Sequence, residues 1–151
     1  MDTCSSHLPV FARAEVLPAD AGYLEVVTLM ARELAAATGA DETVMVQCAM
    51  EREACEATYV GRGMAVPHAR VPGLEKACVL LARAPQGITW QRGTATLVVL
   101  VAVPESCAEL HLQLLGQLMR WRLMEMTDEA AILALPAAEL QASVAAALAK
   151  L

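Results

Sequence analysis

His68 is the residue of this sequence best suited to nucleophilic chemistry. It follows residues 61–67, Gly-Arg-Gly-Met-Ala-Val-Pro, in which two glycines relax the backbone and a proline fixes φ just before the histidine. A neutral imidazole is nucleophilic near neutral pH, and a phosphoryl group on a ring nitrogen can be passed on. Taken alone, these residues are more typical of a turn that carries a satisfied, half-buried histidine.

Residues 53–69 resemble the phosphohistidine signature of the enzyme IIA components of the bacterial phosphoenolpyruvate-dependent sugar phosphotransferase system, type 2 (mannitol/fructose) class. That signature has an acidic or amide residue, a gap, an aliphatic and a small residue, two free positions, and then aliphatic, Ala, aliphatic, Pro, His and a small residue. The required positions are filled by Glu53, Val60, Gly61, Met64, Ala65, Val66, Pro67, His68 and Ala69. The resemblance implies that His68 accepts a phosphoryl group through Nε2, while a hydrogen bond from the other ring nitrogen, to a backbone carbonyl, fixes the tautomer.

The resemblance also implies two residues that stabilise the phosphoryl group, His111 and Arg52. His111 stands in Pro104…His111-Leu-Gln-Leu-Leu115, near the predicted start of a helix, where the dipole favours a phosphate and a neutral ring. Arg52 offers planar donors that suit phosphate oxygens. Without the resemblance, a histidine in a helix groove and a surface ion pair would explain these two residues.

Arg70, Gly61 and Gly63 are auxiliary candidates for the same site. Arg70 would screen the phosphate or dock an acidic partner, unless it is simply exposed. Three positions depart from the family pattern: Arg62 stands where relatives often have Asn, Ala69 replaces a common Gly, and Gln91 occupies a turn that is often acidic. These departures bear on turn geometry and partner preference rather than on the nucleophile.

The function implied by the resemblance is that of a phosphocarrier, with a phosphotransferase role. It would accept a phosphoryl group from the histidine phosphocarrier HPr or its nitrogen-branch paralogue. It would then pass the group on or use it to regulate partner binding. Two segments resemble the nitrogen-related regulatory type more than the sugar-specific type and so favour it: Glu51-Arg52-Glu53, at the end of a predicted helix, and the start of the chain. The alternatives are a sugar-specific IIA that phosphorylates a cysteine of an enzyme IIB, and a non-catalytic binding module on the same fold.

Other kinds of site have weaker support in the sequence. Three histidines and five cysteines would suffice as metal ligands, but the cysteines lack short paired spacings. No Gly-x-Ser-x-Gly elbow of a serine hydrolase occurs. We therefore predict neither a metal nor a cofactor.

Composition and charge narrow the class of protein. The chain has 151 residues, enough for one domain with a single core, and 57% of them are hydrophobic but only 3% aromatic. A net charge of −6 argues against nucleic acid as a partner. The odd number of cysteines, without a Cys-x-x-Cys pair, favours reduced thiols in a cytoplasmic protein. No signal peptide or bilayer-spanning run is recognised, so direct membrane insertion is not expected.

The elements that would position these residues are predicted from hydrophobic period and from turn residues. Residues 1–8 are predicted to be a loose tail and residues 9–151 one enzyme IIA domain. A short edge element is predicted over 11–17, with helices over 21–38 and 42–54 that are delimited by Gly39 and Asp41. Strands are predicted over 58–60, 64–66, 77–84, 87–90 and 94–103.

Three further helices are predicted after Pro104. Ser106 and Glu109 have the spacing of a capping box, which would open a helix running to about 123. Shorter helices follow over 128–135 and from Pro136 to about 149. The order of elements predicts an α/β domain, with a mixed sheet of four to five strands flanked by helices, which is also the fold of the resembled family.

Overall fold

Strands β5 and β6 form the centre of a six-stranded mixed sheet. The computed structural model describes residues 8–107 and 109–151. In it, β5 and β6 are antiparallel, β1 is parallel to β5, β3 and β4 are parallel to β6, and β2 is antiparallel to β3. The strands are β1 (Val10–Ala12), β2 (Tyr59–Gly61), β3 (Met64–Ala65), β4 (His68–Val71), β5 (Cys78–Trp90) and β6 (Gly93–Pro104).

Alternating side chains of the central strands build two cores, one on each face of the sheet. Along β6, Val98, Leu100 and Ala102 belong to one core, and Leu97, Val99, Val101 and Val103 belong to the other. A strand that is apolar at successive positions must be covered on both sides, since either face would otherwise meet water.

Helices supply that cover in two layers. Helices α1 (Tyr23–Thr38) and α2 (Glu42–Cys55) pack on the first core, whereas α3 (Leu110–Arg120), α4 (Glu129–Ala134) and α5 (Ala137–Leu148) pack on the second. A π-helical turn, Trp121–Glu125, continues α3. Gly39 ends α1 at a φ of 77°, and the side chain of Asp41 caps α2 by accepting from the Val44 N–H at 3.1 Å, as the sequence predicts.

The predicted fold class, a mixed sheet flanked by helices, is confirmed, while several details differ. The sheet has six strands among the described residues, where four to five were predicted, and one of the six, β4, which begins at His68, was not predicted. The two strands predicted over 77–84 and 87–90 are one strand, β5, with an irregular register between Arg83 and Ile88. The predicted capping box of Ser106 and Glu109 is wrong. Glu105–Cys107 form a 3-10 turn, and α3 begins after Glu109 without a side-chain cap.

The predicted tail lies outside the described residues except for Leu8. None of the helices in the described part of the chain has both the length and the apolar character that crossing a bilayer requires. Cys48, Cys55 and Cys78 are free thiols, but Cys107 is disulfide-bonded, so the expectation of reduced cysteines is wrong for Cys107.

A buried arginine ties the glycine-rich turn to the second helical layer. Arg122, in the π-helical turn, is 5% exposed. Its Nη1 donates to the carbonyls of Met126 at 3.2 Å and Thr127 at 3.1 Å, and its Nη2 donates to the carbonyl of Arg62 at 2.9 Å. These bonds satisfy the buried cation with backbone oxygens.

We expect Arg122→Met to lower the free energy of unfolding by about 2–3 kcal/mol, because the substitution leaves three carbonyls without their charged donor. Arg120→Met is the matched control, since Arg120 is exposed, and a change within about 0.5 kcal/mol is expected there. Chemical denaturation measures both. Equal losses in the two variants would contradict the role given to Arg122.

Candidate active site

His68 lies at an edge of the sheet. Within the described residues, β4 pairs with β6 alone, and His68 is opposite Val101. Ala69 and Val71 point into the core under α1 and α2, so His68 and Arg70 point to the other side of the strand. His68 is half-buried and Arg70 is exposed.

Arg52 reaches His68 from α2. It lies in the last turn of that helix, and its Nε donates a hydrogen bond to Nε2 of His68 at 3.0 Å. Its Nη1 donates to the carbonyl of Glu56 at 3.0 Å, which fixes the guanidinium at the helix end. The sequence therefore identified a residue that directly contacts the candidate nucleophile.

His111 reaches His68 from the other helical layer. It stands in the first turn of α3, and its ring stacks on that of His68 with centroids 4.7 Å apart and an interplanar angle of 14°. The start of α3, which carries His111, has no side-chain cap, and the positive end of a helix dipole favours a nearby anion.

The hydrogen bonds of His68 define its tautomer. Because Arg52 can only donate, Nε2 must accept with its lone pair and the proton must be on Nδ1. Nδ1 then donates to the carbonyl of Val66, at 3.3 Å. The backbone carbonyl expected from the sequence thus lies at Nδ1, and the lone pair is at Nε2.

The surroundings of His68 favour its neutral form. Burial, which has the largest effect, and the positive charges of Arg52, His111 and Arg70 together lower the pKa of His68 to about 4, although the hydrogen bond to the Val66 carbonyl opposes the shift. A ring that is neutral at pH 7 has a lone pair on Nε2, which can attack phosphorus once the Arg52 guanidinium has moved aside.

Glu53 has a positioning role that the sequence did not assign, although the residue belongs to the signature. Its side chain is 2% exposed and accepts three hydrogen bonds, from Thr58 Oγ1 at 2.7 Å, Thr58 N–H at 3.2 Å and Trp90 Nε1 at 3.2 Å. These bonds fix the end of α2 against the chain leading to β2 and against β5. Arg52, the residue before Glu53 in the helix, lies in the turn that this anchor holds.

Gly61 and Gly63 shape a turn that lies away from His68. The carbonyl of Gly63 accepts from the N–H groups of Thr96 and Leu97, whereas His68 is opposite Val101. Four residues of β6 separate these points, or roughly 13 Å. Arg62, between the glycines, has a φ of 54°, a conformation that Asn adopts more easily than Arg.

The structure also shows where Ala69 and Gln91, the other two departures from the family pattern, lie. Ala69 is buried in a strand, and its φ is not positive, so a glycine is not required there. Gln91 directly follows Trp90, which pairs with Gly93 at the start of β6. Gly93 is eight residues, or roughly 26 Å, along β6 from Val101, the residue that pairs with His68. Its amide donates to the Tyr23 hydroxyl at 3.1 Å, so Gln91 is not part of the group around His68.

The cysteines and acidic residues of the described part of the chain do not form a metal cluster with His68 and His111. No group of three or more His, Cys, Asp or Glu side chains suited to a metal ion lies within residues 8–107 and 109–151. Burial raises the pKa of Cys78 to about 12, and burial together with Glu51 and Glu105 raises the pKa of Cys48. Both thiols are therefore protonated near neutral pH and are poor nucleophiles.

Residues 23–150 match the family described as the phosphoenolpyruvate-dependent sugar phosphotransferase system, EIIA 2. The chain is 33% identical over 94 residues to a nitrogen regulatory protein of Bradyrhizobium diazoefficiens, covering 60% of this chain and 61% of that protein. It is 34% identical over 83 residues to a fructose-specific EIIA component of Haloferax volcanii, covering 53% of this chain and 54% of that protein. The chain thus spans less than two thirds of the length of either curated relative.

Two solved structures share the fold. The nitrogen regulatory protein IIA-Ntr of Neisseria meningitidis superposes with a TM-score of 0.72 at 20% identity, covering 93% of this chain and 94% of that chain. A complex of enzyme IIA mannitol with phosphorylated enzyme IIB mannitol, from Escherichia coli, gives a TM-score of 0.61 at 22% identity, with 94% of each chain covered. At these identities the likeness shows the architecture alone.

We expect the imidazole of His68 to titrate with a pKa near 4, well below the ordinary histidine value of about 6.5. Its folded-state pKa is below its unfolded-state pKa, so acidification between these values protonates the unfolded chain first and lowers stability. Proton-nitrogen NMR of the histidine rings measures the midpoint. A midpoint at or above 6.5 would contradict the electrostatic account of the site.

Proposed function

Because the chain belongs to the type 2 family of EIIA proteins of the phosphoenolpyruvate-dependent sugar phosphotransferase system, we propose that it is a phosphocarrier whose acceptor atom is Nε2 of His68. Members of this family are phosphotransfer components. The observation that carries the proposal is the contact between Arg52 Nε and His68 Nε2, at 3.0 Å, on a ring whose Nδ1 is directed to a backbone carbonyl.

The transfer step uses the neutral ring of His68 as nucleophile. The Nε2 lone pair attacks phosphorus, an Nε2–P bond forms, and the bond between phosphorus and the nitrogen of the donor's phosphohistidine breaks. The bonding electron pair returns to the donor's imidazole, so no oxidant or further cofactor is needed. Because Arg52 occupies the Nε2 lone pair in this structure, its guanidinium must move aside during attack.

Arg52 and His111 stabilise the charge that arrives with the phosphoryl group. The displaced guanidinium of Arg52 is directly beside the new equatorial oxygens, to which its planar donors can bind. His111, stacked on His68, would donate an N–H from the other side. Arg70, exposed on the same side of β4 as His68, adds positive charge near the site without contacting the ring nitrogen. Gly61 and Gly63 act at a distance, by shaping the turn before β3.

The donor in this proposal is HPr or its nitrogen-branch paralogue. The nitrogen-related regulatory type is slightly favoured, which agrees with the relative from Bradyrhizobium diazoefficiens and with the fold of the Neisseria meningitidis protein. Residues 9–151 would then act as one IIA domain, in the cytoplasm, where the phosphorylation state of His68 controls binding to a regulatory target.

Sugar uptake is the second candidate function. The fructose-specific relative of Haloferax volcanii and the mannitol complex of Escherichia coli support it. In that case phosphorylated His68 would transfer its group to a cysteine of an enzyme IIB. Incubation of the phosphorylated chain with purified IIB proteins separates the two functions, because only the sugar-specific type would lose its label to a IIB cysteine.

We expect the wild type to take up acid-labile label from radioactive phosphoenolpyruvate in the presence of enzyme I and HPr or its paralogue. His68→Ala should abolish labelling, because it removes the acceptor. Arg52→Gln and His111→Ala should each slow labelling by roughly 10²-fold, the effect of losing one donor to a developing charge. Gln91→Ala is the control, because Gln91 lies far from His68 along the sheet, and it should label like the wild type.

Two outcomes would contradict the proposal. Label that persists in His68→Ala would mean that another residue is the acceptor. A folded wild type that takes no label from HPr or from the nitrogen-branch paralogue would favour a non-catalytic binding module on the same fold.

A further inference from the structure

A cavity of about 650 Å³ opens on the face of the sheet that α1 and α2 cover. It lies between the corner that joins these two helices and the loop from β4 to β5. Its lining includes two buried side chains, Val71 and Cys78, and three half-buried apolar ones, Phe11, Val44 and Leu74. Small-molecule sites in proteins have volumes of about 300–1,000 Å³ and mostly apolar walls. The cavity therefore has the size and the lining of a ligand site.

Three exposed charged side chains also line the cavity: Asp41, Glu75 and Lys76. None of the three belongs to an ion pair among the described residues. Asp41 uses Oδ1 to accept from the Val44 N–H, which leaves its other carboxylate oxygen for a ligand. Carboxylates and an ammonium group on one concave surface suit a ligand that carries both signs of charge, because a simple ion would leave one sign unpaired.

Phe11 narrows the class of ligand further. It is the sole phenylalanine of the sequence, and its half-buried ring lines the cavity together with the aliphatic side chains of Val44 and Leu74. Aromatic rings contribute a large apolar contact area and pack favourably against one another. A free α-amino acid with an aromatic side chain combines such a ring with an ammonium and a carboxylate group on one carbon.

The cavity is separate from the group around His68, although α2 and β4 extend from one to the other. Val71 ends β4, three residues after His68, which is roughly 10 Å along the strand. On α2, Val44 lies eight residues before Arg52, roughly 12 Å along the helix axis. A ligand in the cavity would thus contact the far ends of the two elements that carry Arg52 and His68, without occupying Nε2.

We propose that this cavity binds a free aromatic α-amino acid. The ring of the ligand packs against Phe11, and its ammonium group faces the carboxylates of Asp41 and Glu75. Its carboxylate pairs with Lys76. A ligand with a carboxylate alone fits less well, because Asp41 and Glu75 would repel it. The inference does not depend on the proposed function, since none of the residues that line the cavity has a part in phosphoryl transfer.

The experiment uses three ligands that share an indole ring: L-tryptophan, tryptamine, which lacks the carboxylate, and indole-3-acetate, which lacks the ammonium group. Titration calorimetry on the full chain measures each Kd, and the amide chemical shifts of Gly39 and Gly73, which line the cavity, locate the ligand. We expect L-tryptophan to bind with a Kd of about 1 mM or lower, as its size allows. Tryptamine should bind roughly two- to fivefold more weakly, the effect of one exposed ion pair, and indole-3-acetate more weakly still.

Two neighbouring alanines of α1 provide a matched pair of variants. Both are exposed, but Ala37 lines the cavity and Ala36 does not. Ala37→Trp should fill the cavity and raise the Kd of L-tryptophan at least about tenfold, whereas Ala36→Trp should match the wild type. Lys76→Met should raise the Kd of L-tryptophan but not that of tryptamine, because only L-tryptophan has a carboxylate. Thermal unfolding confirms that each variant is folded.

Three results would overturn the proposal. The first is the absence of saturable binding of L-tryptophan at millimolar concentrations. The second is binding that Ala37→Trp leaves unchanged, which would place the ligand outside the cavity. The third is tryptamine that binds as tightly as L-tryptophan, which would contradict the pairing of a carboxylate with Lys76. Labelling of His68 is measured separately, so a chain that binds L-tryptophan and takes no label would refute the phosphocarrier function alone.

Discussion

The one-sided pairing of β4 with β6 is the constraint on which the site depends. Side chains of an interior strand are separated by the sheet, so residues from its two faces cannot meet. At the edge formed by β4 within the described residues, α2 approaches from one layer and α3 from the other. Arg52 and His111 can therefore both contact His68, one through a hydrogen bond to Nε2 and the other through ring stacking.

That position also sets the chemistry of the histidine. His68 is buried enough that its pKa falls to about 4, but it is not enclosed in the core. The ring is thus neutral and still open to a partner. Three groups in its surroundings favour the neutral form through positive charge, and the same charge would favour a phosphorylated ring, because a phosphoryl group is an anion. One arrangement serves both the nucleophile and its product.

The rest of the fold holds this edge in place by satisfying buried polar groups. Glu53 binds Thr58 and Trp90 and so fixes the end of α2 that carries Arg52. Arg122 binds the carbonyl of Arg62 and so joins the turn before β3 to the continuation of α3. Both charges are expensive to bury unless they are paired, so the two contacts specify one relative placement of turn, sheet and helices.

The sequence by itself determined the mixed α/β class and the two helices before β2, because hydrophobic period and caps are local properties. It also singled out His68, although the motif alone favoured a half-buried turn histidine and the role of nucleophile came from the family resemblance. It also indicated Arg52 and His111, but only through a family resemblance, and it missed β4, the anchoring bonds of Glu53 and Arg122, and the single continuous β5. Gly61 and Gly63 were candidates because they relax the backbone of the motif that leads to His68, yet the point where Gly63 meets β6, at Leu97, lies roughly 13 Å along that strand from Val101, which pairs with His68. Only the tertiary structure decided these points. Strand register, the position of β4 at an edge and the layering of the helices determine which side chains meet, and the local spacing of residues in the sequence determines none of the three.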